Sequence, residues 1–134
     1  MVNRLSLSFL AFSCVLGACA SAGLAREQVR NSNIETLDAG DNGSRVQVRG
    51  WIEIDPETFR LWSSEDKRET LEDAHCIGVV IPKGTDRELL DRKDVIVTGQ
   101  FIVDVTGEYV VLGGCRNRRF IFADEIRLLA KEQQ

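Results

Sequence analysis

From Arg45 onward the apolar residues fall at every second position, and that period of two constrains the fold more than any other feature of the chain. Val46, Val48, Gly50, Ile52 and Ile54 share one face, with Gln47, Arg49, Trp51 and Glu53 on the other. A β-strand sends successive side chains to opposite faces, so this stretch predicts a half-buried strand rather than a helix. Gly50 in its middle predicts a bulge or sharp bend. Asp55-Pro56-Glu57 turns the chain, and Thr58 to Trp62 reads as a second strand, Phe59 and Leu61 alternating with Arg60 and Trp62. The nearly continuous apolar run Cys76 to Ile81 predicts a buried third strand. Between these two, 63–74 is highly charged and reads as a solvated loop or a single frayed helical turn.

Thr85-Asp86-Arg87-Glu88 has the form of a capping box, with Thr85 as the cap, and predicts a short helix that buries Leu89 and Leu90. Asp94 to Val105 is the longest predicted strand, again interrupted by a glycine, Gly99. Thr106-Gly107 is a turn signal, Tyr109 to Leu112 a further strand segment, and Gly113-Gly114 a break; Phe120 to Leu129 closes the set. The expected architecture is therefore mainly β, with one short helix between the third and fourth strands. Val46-x-Val48-x-Gly50-Trp51-Ile52 with Phe59-x-Leu61 resembles the opening hairpin of OB-fold domains in anticodon-binding proteins. Val95-x-Val97-x-Gly99 and Phe122-Ala-Asp-Glu-Ile126-x-Leu128 resemble their closing strands. The resemblance spans most of 45–130 and implies a small five-stranded OB-like barrel. The Tyr109–Arg119 segment departs from that scheme.

Ahead of the barrel the chain looks like an address. Arg4 is the lone cation of a short amino-terminal region, and Leu5 to Leu16 is an uncharged apolar run of about a dozen residues, too short to span a bilayer. Leu16-Gly17-Ala18-Cys19 then resembles a bacterial lipobox. The resemblance implies a signal peptide over 1–18 and acylation of Cys19, giving a lipoprotein of the cell envelope held by lipid (palmitate among the usual acyl chains) and facing the periplasm. Ala20 in place of the aspartate associated with inner-membrane retention favours the outer membrane. Cleavage after Ala20-Ser21-Ala22 by an ordinary signal peptidase is the competing outcome and would give a soluble periplasmic or secreted protein. Residues 19–44, with Gly40, Asp41, Asn42 and Gly43 and only scattered apolar positions, read as a lipidated terminus and flexible tether. About 25 such residues would reach roughly 25–30 Å. The segment 131–134 reads as a polar tail.

Export decides how the cysteines are read. Cys14 would leave with the leader and Cys19 would carry lipid, so Cys76 and Cys115 remain as a pair in an oxidising compartment, and a disulfide is expected. They are too far apart for the usual redox motif, and His75, the single histidine, leaves too few ligands for a zinc site. No metal and no cofactor is expected.

Charge narrows function further. The chain of 134 residues carries −4; removing 1–18 takes away Arg4 and no anion, leaving −5. Bulk field is thus unfavourable to polyanions. Two local cationic features remain. Arg49, Trp51, Arg60 and Trp62 would project from one outer face, where OB-folds bind ligands, unless Gly50 turns Trp51 into the core. Cys115-Arg116-Asn117-Arg118-Arg119 is the densest cationic run and, beside Gly113-Gly114, could cradle an anion; a solvated loop is the plainer reading. No second histidine and no G-x-S-x-G elbow accompanies His75. The expectation is a non-enzymatic, membrane-tethered binding module for a protein or small anionic ligand. The alternative is an extracytoplasmic OB domain for single-stranded oligonucleotides. The partner and oligomeric state are left open.

Overall fold

The period-two pattern is realised as a closed barrel. The computed structural model describes residues 27–104, 107 and 114–131. Its strands are β1 Arg30–Ser32, β2 Arg45–Ile54, β3 Phe59–Trp62, β4 Cys76–Val80, β5 Lys93–Val103 and β6 Arg119–Leu128, with helices α1 Glu65–Thr70 and α2 Arg87–Leu90. The sheet order is β1-β2-β3-β4-β6-β5, and pairing of β2 with β5 closes the five strands β2 to β6 on themselves. Neighbours in the ring are antiparallel except β4 and β6, which run parallel. With α2 between the third and fourth barrel strands, this is the mainly β, OB-like arrangement expected from the sequence.

β2 holds the ring together because both of its edges are occupied. One edge pairs with β5 from Arg45 to Ile52, while the other is shared by β1 at 46–48 and by β3 at 51–54. Gly50 sits where the second edge changes partner. A Cβ there would lie 2.4 Å from the Trp62 carbonyl oxygen, so only glycine permits so close an approach. The alternation is not flipped: Val46, Val48, Ile52 and Ile54 are buried and Arg49 is exposed. Gly99 answers a different crowding. Thr98 pairs with Glu125 but Gly99 with Ala123, leaving Asp124 as the extra residue of a bulge, and a Cβ on Gly99 would lie 2.0 Å from the Phe122 carbonyl oxygen.

Inward-facing Val46, Val48, Ile52, Leu61, Ile77, Val79, Val95, Val97, Phe101 and Ile121 fill the barrel, with Leu90 of α2 over one side. Ile34 and Leu37 belong to the same core, only 1% and 3% exposed. The flexible leash expected over 19–44 is therefore corrected for its second half: 30–44 is a strap packed on the barrel. Burying two aliphatic side chains contributes roughly 1.5–3 kcal/mol each, which outweighs the missing periodicity. Arg30 pairs with Asp41, Asp38 and Asp41 cap a single 3-10 turn, and the Gly43 amide donates to the Phe101 carbonyl at 2.7 Å. Residues 19–26, the leader and Cys19 lie outside the described residues, as do Tyr109 to Leu112 and 132–134.

Two local expectations change. Asp86, not Thr85, caps α2 by accepting from the Leu89 amide at 3.1 Å, because the Thr85 hydroxyl donates instead to the Pro82 carbonyl. Leu90 is buried, whereas Leu89 is 56% exposed, since a helix of four residues has only one inward position at that end. The charged stretch 63–74 does form a helical turn, α1, capped by Ser64 accepting from the Lys67 amide at 3.2 Å. No described helix is long and apolar enough to cross a membrane.

Candidate functional site

The strand register puts Trp51 opposite Trp62 and Glu53 opposite Arg60, all on the outer side of β2 and β3. The common face expected from the sequence is present, but it is not open. Trp51 is 8% exposed and Trp62 only 2%. The covering comes from segments distant in sequence. Cys115 is bonded to Cys76 on β4, with the Cα atoms 6.0 Å apart, and Gly114 lies so close over Gly78 that a Cβ on the latter would meet its Cα at 3.3 Å. Trp51, Trp62 and Cys76 form a second buried cluster against which Cys115 packs. The two indoles support the disulfide and are corrected as candidate stacking surfaces, because neither presents a ring to solvent.

Beneath them Glu53 is fully engaged. It accepts from the Trp62 indole nitrogen at 3.2 Å and from Arg68 of α1 through Nε at 3.3 Å and Nη2 at 3.1 Å. Hydrogen bonding to Glu53, then its charge, raises the Arg68 guanidinium above its usual pKa. The pair thereby fastens α1 over the outer face.

The cationic run 115–119 divides in two. Arg119 is half-buried and structural: its Nη1 donates to the carbonyls of Ile34 and Leu37, both at 2.9 Å, and its Nη2 to those of Asp73, Ala74 and Cys76 at 3.2–3.3 Å. Burial pushes its pKa down, while the charges of Glu35 and Asp73 oppose the shift. Both terminal nitrogens of the guanidinium are engaged by main-chain oxygens of two segments, so Arg119 is corrected as a ligand candidate. Asn117 reinforces the clasp, its Nδ2 donating to the Asp73 and Cys76 carbonyls at 2.6 and 2.8 Å while its Oδ1 accepts from the Arg119 amide. Arg116 and Arg118 are exposed, and neither forms an ion pair among the described residues.

Arg60 and Arg116 both line a recess of about 210 Å³ whose other walls are Trp62, Leu71, Asp73 and the disulfide. Arg60 is steadied by donating its Nε to the Gly114 carbonyl at 3.2 Å. Arg118 borders a neighbouring hollow of about 210 Å³ with Gly78, Gly114 and Phe120. Arg49 stands apart, in a polar cleft of about 580 Å³ between the strap and the outer side of β2 and β5. Of the seven sequence candidates, then, Arg60, Trp62 and Arg116 meet at one recess. Leu71 and Asp73 join them and were not foreseen; the available signal was one leucine isolated in a charged run. Leu71 is 63% exposed and holds a left-handed backbone, φ 54°, which a leucine adopts only at a cost.

His75 also finds a structural position. Its Nδ1 lies 2.9 Å from Glu35 on the strap and 3.5 Å from the Ser63 hydroxyl, and its Nε2 lies 3.3 Å from Glu72. A carboxylate stands at each ring nitrogen, and Ser63 is at the outer limit of hydrogen-bond reach from an Nδ1 that Glu35 already occupies. The cluster is a latch between strap and barrel. Burial raises the Glu35 carboxyl, but hydrogen bonds from Ser63 and His75 outweigh it and hold the group below the ordinary glutamate value. No group of three metal-ligating side chains occurs among the described residues.

No family model matches the chain, and no curated protein matches it. Among solved structures it is similar to "OBody AM3L15 bound to hen egg-white lysozyme", with 18% identity and a TM-score of 0.48 over 77% of this chain and 96% of that one.

Proposed function

We propose that the protein is a non-enzymatic binding module of the bacterial cell envelope, lipid-anchored at Cys19 and facing the periplasm. It takes a small anionic ligand, or an anionic group of a protein, between Arg60 and Arg116. The observation that carries the binding assignment is the meeting of these two guanidiniums, neither with an ion-pair partner among the described residues, at one recess backed by an indole and a disulfide. Guanidinium forks bind carboxylate and phosphate through short, charge-assisted bonds. The anchoring arms are short: Arg60 is tied to Gly114, and Arg116 follows a cysteine pinned to β4. Arg60 therefore has less side-chain freedom to lose on binding.

The address rests on the leader, on the lipobox-like Leu16-Gly17-Ala18-Cys19, and on the Cys76–Cys115 bond, which persists in oxidising compartments. Ala20 favours the outer membrane, and cleavage after Ala22 would instead release a soluble form. The oligonucleotide alternative has no exposed indole among the described residues to stack bases on and would depend on arginines alone.

Titrating the oxidised protein with inorganic phosphate and with acetate, followed by amide NMR shifts, tests the site. Saturable shifts around Arg60 and Arg116 are expected, with R60A and R116A each weakening binding about tenfold, the equivalent of one charge-assisted hydrogen bond of about 1.4 kcal/mol. R49A serves as the control and keeps wild-type binding. If all three variants bind alike, the site is wrong. Intact mass of the protein recovered from membranes tests the address, and retention of residues 1–18 would refute it.

A further inference from the structure

The recess holds opposite charges that do not meet. Asp73 lines it together with Arg60 and Arg116, yet no ion pair within 4.0 Å joins the Asp73 carboxylate to either guanidinium. Flexible surface charges so near one another would ordinarily close up. The backbone beneath them is anchored: the Asp73 carbonyl is gripped by Asn117 at 2.6 Å and Arg119 at 3.2 Å, Arg60 donates to Gly114, and Arg116 follows the disulfide-bonded Cys115. Two cations, one anion and an apolar rim at Leu71 therefore line one recess.

We infer that this recess takes a zwitterionic α-amino acid with an apolar side chain. Its carboxylate lies on Arg60 and Arg116, its ammonium on Asp73, and its side chain against Leu71. This rests on the anion-site reading above and narrows it. The recess, of about 210 Å³, has room for a small ligand. The cost of Leu71 also acquires a reason. Its left-handed backbone would suit asparagine or glycine better, and its 63% exposure gives the folded chain little in return, whereas an apolar rim on a charged recess serves a ligand with one apolar arm.

The test compares L-leucine, leucinamide, 4-methylpentanoate and inorganic phosphate by calorimetry and amide NMR on the oxidised protein. L-leucine is expected to bind about tenfold more tightly than 4-methylpentanoate, which lacks the ammonium, and leucinamide, which lacks the carboxylate, not at all. D73N should remove the advantage of leucine over 4-methylpentanoate and, by taking away a like charge, leave phosphate binding as tight or tighter. L71N should weaken leucine about fivefold and leave the melting temperature unchanged or higher, a combination that a merely structural role for Leu71 would not produce. If phosphate binds through Arg60 and Arg116 but leucine is no better than 4-methylpentanoate, the amino-acid inference fails and the anion site stands. If neither binds, both fall.

Discussion

Replacing Arg119 with methionine should cost more stability than any other single change among the cationic residues 116–119. Methionine keeps the aliphatic stem and removes the two terminal nitrogens that hold the carbonyls of Ile34, Leu37, Asp73, Ala74 and Cys76. The two bonds at 2.9 Å are well formed, and hydrogen bonds from a charged donor contribute about 1.5 kcal/mol each at the low end of their range. The three at 3.2–3.3 Å share one nitrogen and together add roughly 1 kcal/mol, because water can replace part of them on the open side. The sum is a loss of about 4 kcal/mol, which for a domain near 100 residues lowers the melting temperature by on the order of 15–20 °C. Urea unfolding followed through Trp51 and Trp62 fluorescence measures the loss, and amide exchange locates it, since protection at 34–44 should fall before that of β2 or β5. A loss under about 1 kcal/mol, or uniform loosening with no preference for the strap, would show that Ile34 and Leu37 hold the strap by themselves.

The Cys76–Cys115 bond closes a loop of 39 residues, so the C76S/C115S variant should lose roughly 4 kcal/mol by chain entropy. A denaturation midpoint equal to that of the oxidised wild type would contradict this. Glu35 is held below its ordinary value of 4.5, chiefly by hydrogen bonds that overcome the opposing effect of burial. Its contribution is therefore present above the unfolded pKa and is lost as pH falls through the lower folded value. The stability gap between wild type and E35Q should accordingly shrink between pH 5.5 and pH 3, and a gap that does not change with pH would refute the latch. Gly99→Ala would place a Cβ 2.0 Å from the Phe122 carbonyl oxygen. It should destabilise the barrel by about 2–3 kcal/mol, and recovery of a wild-type melting temperature would mean that the bulge at Asp124 yields freely.

Much of this structure was legible in the chain because period two is a local property. Val46 to Ile54, Phe59 with Leu61, and Val95 to Phe101 each declare their inner face within one strand, and the twofold alternation of a strand enforces it. The five barrel strands, the helix before β5, and the pairing of the two cysteines followed from such local or compositional signals, whereas β1 did not. The outer face was different. Trp51 and Trp62 do lie on the side that the alternation assigns, but exposure depends on what lies above a face. That cover is Cys115, Gly114 and α1, segments brought there by a disulfide and by Glu53 bonding to Arg68.

The same limit explains the strap and the cationic run. Ile34 and Leu37 show no periodicity because each fills one place at the side of a barrel made from other segments. Arg116, Arg118 and Arg119 are equivalent as letters; register alone turns Arg119 onto carbonyls 43 to 85 residues away and leaves the other two in water. The amino-acid sequence by itself determined which residues alternate, where the chain must turn and which thiols could join. Tertiary structure decided which charges are spent on the protein and which are left for a ligand, because a guanidinium's partner is chosen by three-dimensional proximity, and proximity between remote segments exists only once the barrel has closed.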